Sequence, residues 1–150
     1  MEVRLILHPT DGSAQAAKAL ELAVDLAAQK RSKLVILHVH PVHDGGWADV
    51  RSEASTDIAE DKVAPAAMGR EARKIVDQAE RKAREAGLEQ VETLIVEGFP
   101  ASEIVGYADQ VAADMIVLGN SGRGTVEALF LGSIAHRVVA DAPCTCVVVK

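Results

Sequence analysis

The feature that most restricts what this chain can fold into is an alternation. Short runs rich in Val, Ile and Leu recur along it, and between them lie segments whose apolar residues return every three or four positions. Runs that are apolar throughout, not only at every second residue, belong to strands covered on both faces. Five such runs are Val3 to Leu7, Leu34 to Val39, Val91 to Val96, Met115 to Leu118 and Thr145 to Val149. From Ser13 to Lys30, Ala16, Leu20, Ala23, Val24 and Ala27 fall at helical spacing, with Asp11 or Ser13 placed to cap the first turn. Pro65 opens a second helix carrying Ala72, Ile75, Val76, Ala79, Ala83 and Ala86, closed by Gly87. Pro100 starts a third, with Ile104, Val105, Ala108, Val111 and Ala112, and Ser133 to Ala140 forms the last. His40 to Ala64, with Gly45-Gly46 and Trp47, reads as mostly loop with room for one short helical piece. The pattern predicts one α/β domain over residues 1–150, an open five-stranded parallel sheet with helices on both faces. Glu92 and Glu97 give the third strand a partial alternation that suits a sheet edge.

Composition narrows the function classes. Apolar residues make up 49% of the 150 and aromatics 3%, so the core is Ala, Val, Ile and Leu, and a disordered chain is excluded. The formal charge of −6 argues against a free-standing nucleic-acid binder, which is usually basic. Two cysteines are too few for a disulfide framework. No apolar run approaches the roughly 20 residues of a membrane span. The start, MEVRLILHPTDGS, reads as a strand and lacks the plan of a signal peptide, so the expected compartment is the cytoplasm.

In sheets of this kind the ligand sits beyond the carboxyl ends of the strands, where the strand order reverses. The segments to inspect are therefore Thr10 to Ser13, His40 to Asp44, Gly98 to Ser102 and Gly119 to Ser133. The last is the strongest signal: Gly119-Asn-Ser-Gly122-Arg-Gly-Thr-Val-Glu-Ala-Leu-Phe-Leu-Gly132-Ser133, between a buried strand and a helix. Glycines let backbone approach a ligand closely, and the first amides of the helix, with its dipole, favour an anion. Spacing alone leaves two readings open, a phosphate cradle or a glycine-rich turn before a capped helix. The string is not a Walker loop, having no Gly-x4-Gly-Lys-Ser/Thr, nor the short Gly-x-Gly-x-x-Gly turn of dinucleotide sites.

Its spacing, Gly-x2-Gly-x9-Gly-Ser, resembles the ATP-binding motif of the universal stress protein family. The resemblance covers nearly the whole chain, through LILHPTDGSAQAAKALELAVDLA, LVILHVHP, EGFPASEIVGYADQVAADMIVLGNSGRG and LGSIAHRVVADAPCTCVVVK. Two departures are Pro143-Cys144-Thr145-Cys146, where the family often has a Pro-Val pair, and His8, where a small apolar residue is more usual. The resemblance implies a Rossmann-like sheet in the order 3-2-1-4-5, with nucleotide between the ends of the first and fourth strands. It implies a stress-response regulator or sensor that binds ATP, with Mg or Mn held by the phosphates. Asp11 is similar to the residue that contacts the ribose, and Val39 to the position whose backbone reads adenine. Gly119, Gly122, Gly132 and Ser133 match the phosphate cradle, with Leu118 and Ile134 as pocket wall and helix-start amide. Arg123 is added on chemistry alone, since a guanidinium there can meet a terminal phosphate.

Other constellations carry less. His38 and His40 share a strand face, with His43 and Asp44 after them; one core and one rim histidine is the expectation, and no metal. Cys144 and Cys146 read as buried, inert thiols. There is no Gly-x-Ser-x-Gly elbow, and His136 has no evident partner, so no catalytic residue is assigned. A cradle without a general base or dedicated metal carboxylates supports at most slow ATP hydrolysis. An empty-pocket interaction dimer is the other open class. GREARKIVDQAERKAREAG mixes charges at helical spacing and reads as a solvated face. Cys144 to Val149 is apolar and lies at an edge in the expected order, so a homodimer through this strand is expected, antiparallel about a two-fold.

Overall fold

The computed structural model describes residues 1–42, 65–120 and 131–150. Within them run β1 (Leu5–Pro9), α1 (Ala14–Lys30), β2 (Lys33–Pro41), α2 (Pro65–Glu85), β3 (Val91–Gly98), α3 (Pro100–Gln110), β4 (Met115–Gly119), α4 (Ser133–Asp141) and β5 (Thr145–Val149). The strands form one sheet in the order β3-β2-β1-β4-β5, and every pairing is parallel. Fold class, strand order and the edge position of β3 are as the sequence implied. The loop and short helical piece expected across 43–64 lie outside the described residues.

Strand pleating splits the core in two, because successive side chains leave a strand on opposite faces. Ile6, Leu34, Ile36 and Val117 pack under α1 and α2, while Leu7, Val35, Leu37 and Ile116 pack under α3 and α4. The helices meet the sheet through small residues, Ala19, Ala23 and Ala27 on α1 and Ala79 and Ala83 on α2, so bulky strand side chains have room. Ser13 caps α1, its Oγ accepting from the Ala16 amide at 3.2 Å. Helix α2 ends in a Schellman turn: Leu88 N donates to Ala83 O and Gly87 N to Arg84 O, with Gly87 at φ 93°. The same closure after α3 falls on Ala112, at φ 49°.

Four strands differ in extent from expectation, β4 by a single residue at Gly119. β1 spans Leu5–Pro9 and not Val3 to Leu7, because the Arg4 and Leu5 amides turn to the Asp114 carboxylate at 2.8 and 2.9 Å. β2 and β3 run on to Pro41 and Gly98 as a mutual pair, with His40 opposite Glu97 and Pro41 opposite Gly98. Polar residues and a proline hide this extension in sequence, and cross-strand pairing carries it.

The lower end of the sheet, where the strands begin, is tied by polar groups with partners. Asp114 holds β1 to β4, Ser32 Oγ donates to Val3 O, and the Arg84 guanidinium donates to Glu89 O and Val91 O. The two backbone donors keep the exposed Asp114 carboxyl below its usual range.

Candidate functional site

At the upper end a cavity of about 390 Å³ opens where β1 and β4 part. This is the point at which strand order reverses, so α1 follows β1 on one face and α4 lies on the other. Seven of the nine residues expected at the site line it: Asp11, Val39, Leu118, Gly119, Gly132, Ser133 and Ile134. The other two, Gly122 and Arg123, lie outside the described residues.

The turn after β1 is built by short-range bonds. Asp11 Oδ1 accepts from Ser13 N at 2.9 Å, Gly12 N donates to Thr10 Oγ1 at 3.2 Å, and Gly12 takes φ 77°. Thr10 N donates to Leu37 O and Thr10 O accepts from His38 Nδ1, both at 2.8 Å. Asp11 is thus part of a fixed Asx turn at the cavity wall.

The glycine string is closed at its root. Gly132 N donates to Asn120 O at 2.6 Å, and Asn120 N donates to Val149 O at 2.9 Å. Gly132 then caps α4 without a side-chain acceptor, and the first intrahelical bond runs from His136 N to Gly132 O. The amides of Ser133, Ile134 and Ala135 are therefore outside the helix ladder, and all three residues line the cavity. Gly132 has φ −61°, so its value at the site is close approach, not a left-handed backbone. Gly119 has a second reason to be glycine: a Cβ there would stand 3.0 Å from the Gln15 carbonyl carbon of α1. No lysine or arginine lines the cavity among the described residues, which leaves phosphate-sized anions to backbone donors and the helix dipole.

The opposite end of the cavity holds residues that motif reading did not assign to it. His38 is buried and His40 half-buried, one core and one rim ring as expected, with centroids 6.3 Å apart. Among the described residues His40 Nε2 is buried without a hydrogen-bond partner. Glu71 and Ile75 of α2 complete that wall. Glu71 belongs to the charge run expected to be a solvated face, and it is exposed while bordering the cavity; helix-to-sheet packing decides which charge of that run stands there. Among the described residues no three potential ligands converge on a metal position, and His43 and Asp44 lie outside them.

Beneath the cavity, His8 is fully buried and donates from Nδ1 to Val117 O at 2.9 Å. Burial drives its pKa down to about 4, against a smaller upward pull from that bond and from Asp11. Cys144, just before β5, and Cys146 on it are half-buried rather than buried as expected, because β5 lies at the sheet edge; both are free, and burial pushes both pKa values up.

The universal stress protein family model matches residues 2–150. The chain belongs to the universal stress protein family. The universal stress protein YxiE of Bacillus subtilis is 34% identical over 151 residues, 97% of each chain. Among solved structures, the universal stress protein UspA from Lactobacillus plantarum has a TM-score of 0.79 at 27% identity, covering 100% of this chain and 99% of that one. A universal stress protein in complex with cAMP has a TM-score of 0.70 at 25% identity, covering 100% of this chain and 98% of that one.

Proposed function

We propose that this universal stress protein binds an adenine nucleotide, ATP foremost, and acts as a regulator or sensor in a stress response. The observation that carries the reading is the outward-facing start of α4, with Gly132, Ser133 and Ile134 on a cavity at the strand-order reversal. Phosphates fit that end, where amides outside the ladder and the helix dipole favour negative charge. Asp11 in its fixed turn suits a ribose hydroxyl, and the end of β2 at Val39 suits the base. Gly122 and Arg123 join the phosphate end in this reading. A volume of about 390 Å³ lies in the range of small-molecule sites. The relative crystallised with cAMP supports an adenine nucleotide as ligand. A Mg or Mn ion would arrive held by the phosphates. The described residues give no positioned base for phosphoryl transfer, so the role is binding, with hydrolysis slow if present. Mass analysis of the protein as purified, followed by titration with ATP, tests this. Co-purifying adenine nucleotide or saturable binding is expected; absence of both up to millimolar ATP overturns the reading.

The same reading includes a homodimer through β5. Among the described residues that strand pairs only with β4, and its Val147, Val148 and Val149 stay partly exposed. An edge of this kind invites a second copy, antiparallel about a two-fold. Sedimentation of the wild type at tens of micromolar should give twice the 15.9 kDa chain mass, and Val147→Lys or Val148→Lys should yield folded monomer. A wild-type monomer overturns it.

A further inference from the structure

His38 belongs to β2 and Asp11 to the turn after β1; the hydrogen bond from His38 reaches the residue before Asp11, at Thr10 O. A carbonyl oxygen only accepts, so at 2.8 Å from Thr10 O the His38 Nδ1 must carry the proton. The ring is buried, at 6% exposure, and β2 is paired on both sides, so this donor has little freedom. Thr10 is also held from its other side, by its amide on Leu37 O at 2.8 Å. Both backbone groups of Thr10 are therefore fixed to β2, one residue before Asp11. Gly12 follows Asp11 at φ 77°, a position with wide backbone freedom. Without the His38 donor, the peptide leading into Asp11 has one anchor fewer, and the turn is left to Thr10 N on Leu37 O and to the Asx bond with Ser13 N.

We propose that His38 is a positioning residue: its Nδ1–H, bonded to Thr10 O, sets the direction of the Asp11 carboxylate for a ribose hydroxyl. The inference rests on the nucleotide reading above and deepens it. A hydrogen bond to a charged group depends steeply on angle and distance, so a small rotation of the turn costs ribose recognition and spares base and phosphate contacts. Asparagine places its amide nitrogen near the position of Nδ1 and can donate to the same carbonyl; leucine fills the space without a donor.

The test compares ATP with 2′,3′-dideoxy-ATP by titration calorimetry, on wild type, His38→Leu, His38→Asn and Asp11→Ala, each checked for folding by circular dichroism. Wild type is expected to prefer ATP about tenfold, the scale of one hydrogen bond to a carboxylate. His38→Leu should lose that preference while its affinity for the dideoxy nucleotide stays within about twofold. His38→Asn should restore the preference. In an Asp11→Ala background, His38→Leu should change nothing further. If His38→Leu does not fold, the Asn variant and the wild-type ratio decide: equal affinities in wild type, or an Asn variant that folds and has no preference, overturn the proposal. A wild type that binds ATP, with an undiminished preference in His38→Leu, overturns the role of His38 and leaves the nucleotide reading standing. A wild type that binds neither nucleotide overturns both.

Discussion

The two ends of the sheet are finished differently. At the lower end, polar side chains are matched: Asp114 takes two amides, Ser32 and Arg84 take carbonyls, and Lys33 meets Glu92 at 2.6 Å. At the upper end, His8 Nε2 and His40 Nε2 are buried without partners among the described residues, and α4 starts with no side-chain cap. A buried nitrogen without a partner costs on the order of 1–3 kcal/mol, so the upper end gives up stability that the lower end keeps. Of the two histidines, His40 lines the cavity, whereas His8 lies fully buried below it. The contrast teaches that stability and recognition in this parallel sheet are separated by end, not by face, since an apolar cluster fills each face.

The largest expected effect that would break this contrast is acid sensitivity seated at His8. Its folded pKa of about 4 lies below the unfolded value of 6.5. The unfolded chain therefore holds more protons between those pH values, and stability falls as pH drops through that window. The loss should approach about 3 kcal/mol by pH 4, from 1.36 kcal/mol per pKa unit. Urea unfolding at pH 7 and pH 4.5, beside a His8→Leu control with a flatter profile, measures it; a wild type indifferent to this change assigns the buried ring no such role. Protonation of Asp114, whose folded pKa is also lowered, removes stability only further down, as pH falls through the carboxylate range.

Next comes Gly132→Val. At φ −61° and ψ 156° valine is tolerated by the backbone, so folding stability should stay within about 1 kcal/mol. A branched side chain at the cavity wall should still reduce ATP affinity by about a hundredfold, near 3 kcal/mol. Retained affinity in a folded variant would remove the α4 start from the site. The converse change, Asp114→Ala, should cost about 1–2 kcal/mol of stability by leaving two amides without their acceptor, and nothing in nucleotide affinity. Loss of binding there would show that the two ends are coupled. The smallest effect is a gain: Ala112→Gly relieves a left-handed alanine at φ 49° and should add about 1 kcal/mol, read as a higher urea midpoint with unchanged binding.

The sequence by itself determined the architecture. Continuous Val, Ile and Leu runs such as Leu34 to Val39 can only be satisfied by cover on both faces, and alanine at helical spacing along α1 says what covers them. It also located the glycine string, because close backbone approach leaves a compositional mark. Tertiary structure alone decided the rest. Strand ends at His40, Pro41 and Gly98 are held by cross-strand partners, to which local pattern is blind. Exposed Glu71 borders the cavity through the packing of α2 on β2 and β3, and nothing in a mixed-charge helix marks that residue out. His38 and Thr10 are 28 positions apart, and their bond exists only because parallel pairing sets β2 beside the turn that follows β1. Side-chain period is a local property of the chain, whereas hydrogen-bond partnership across strands depends on register, and register is fixed only when the sheet assembles.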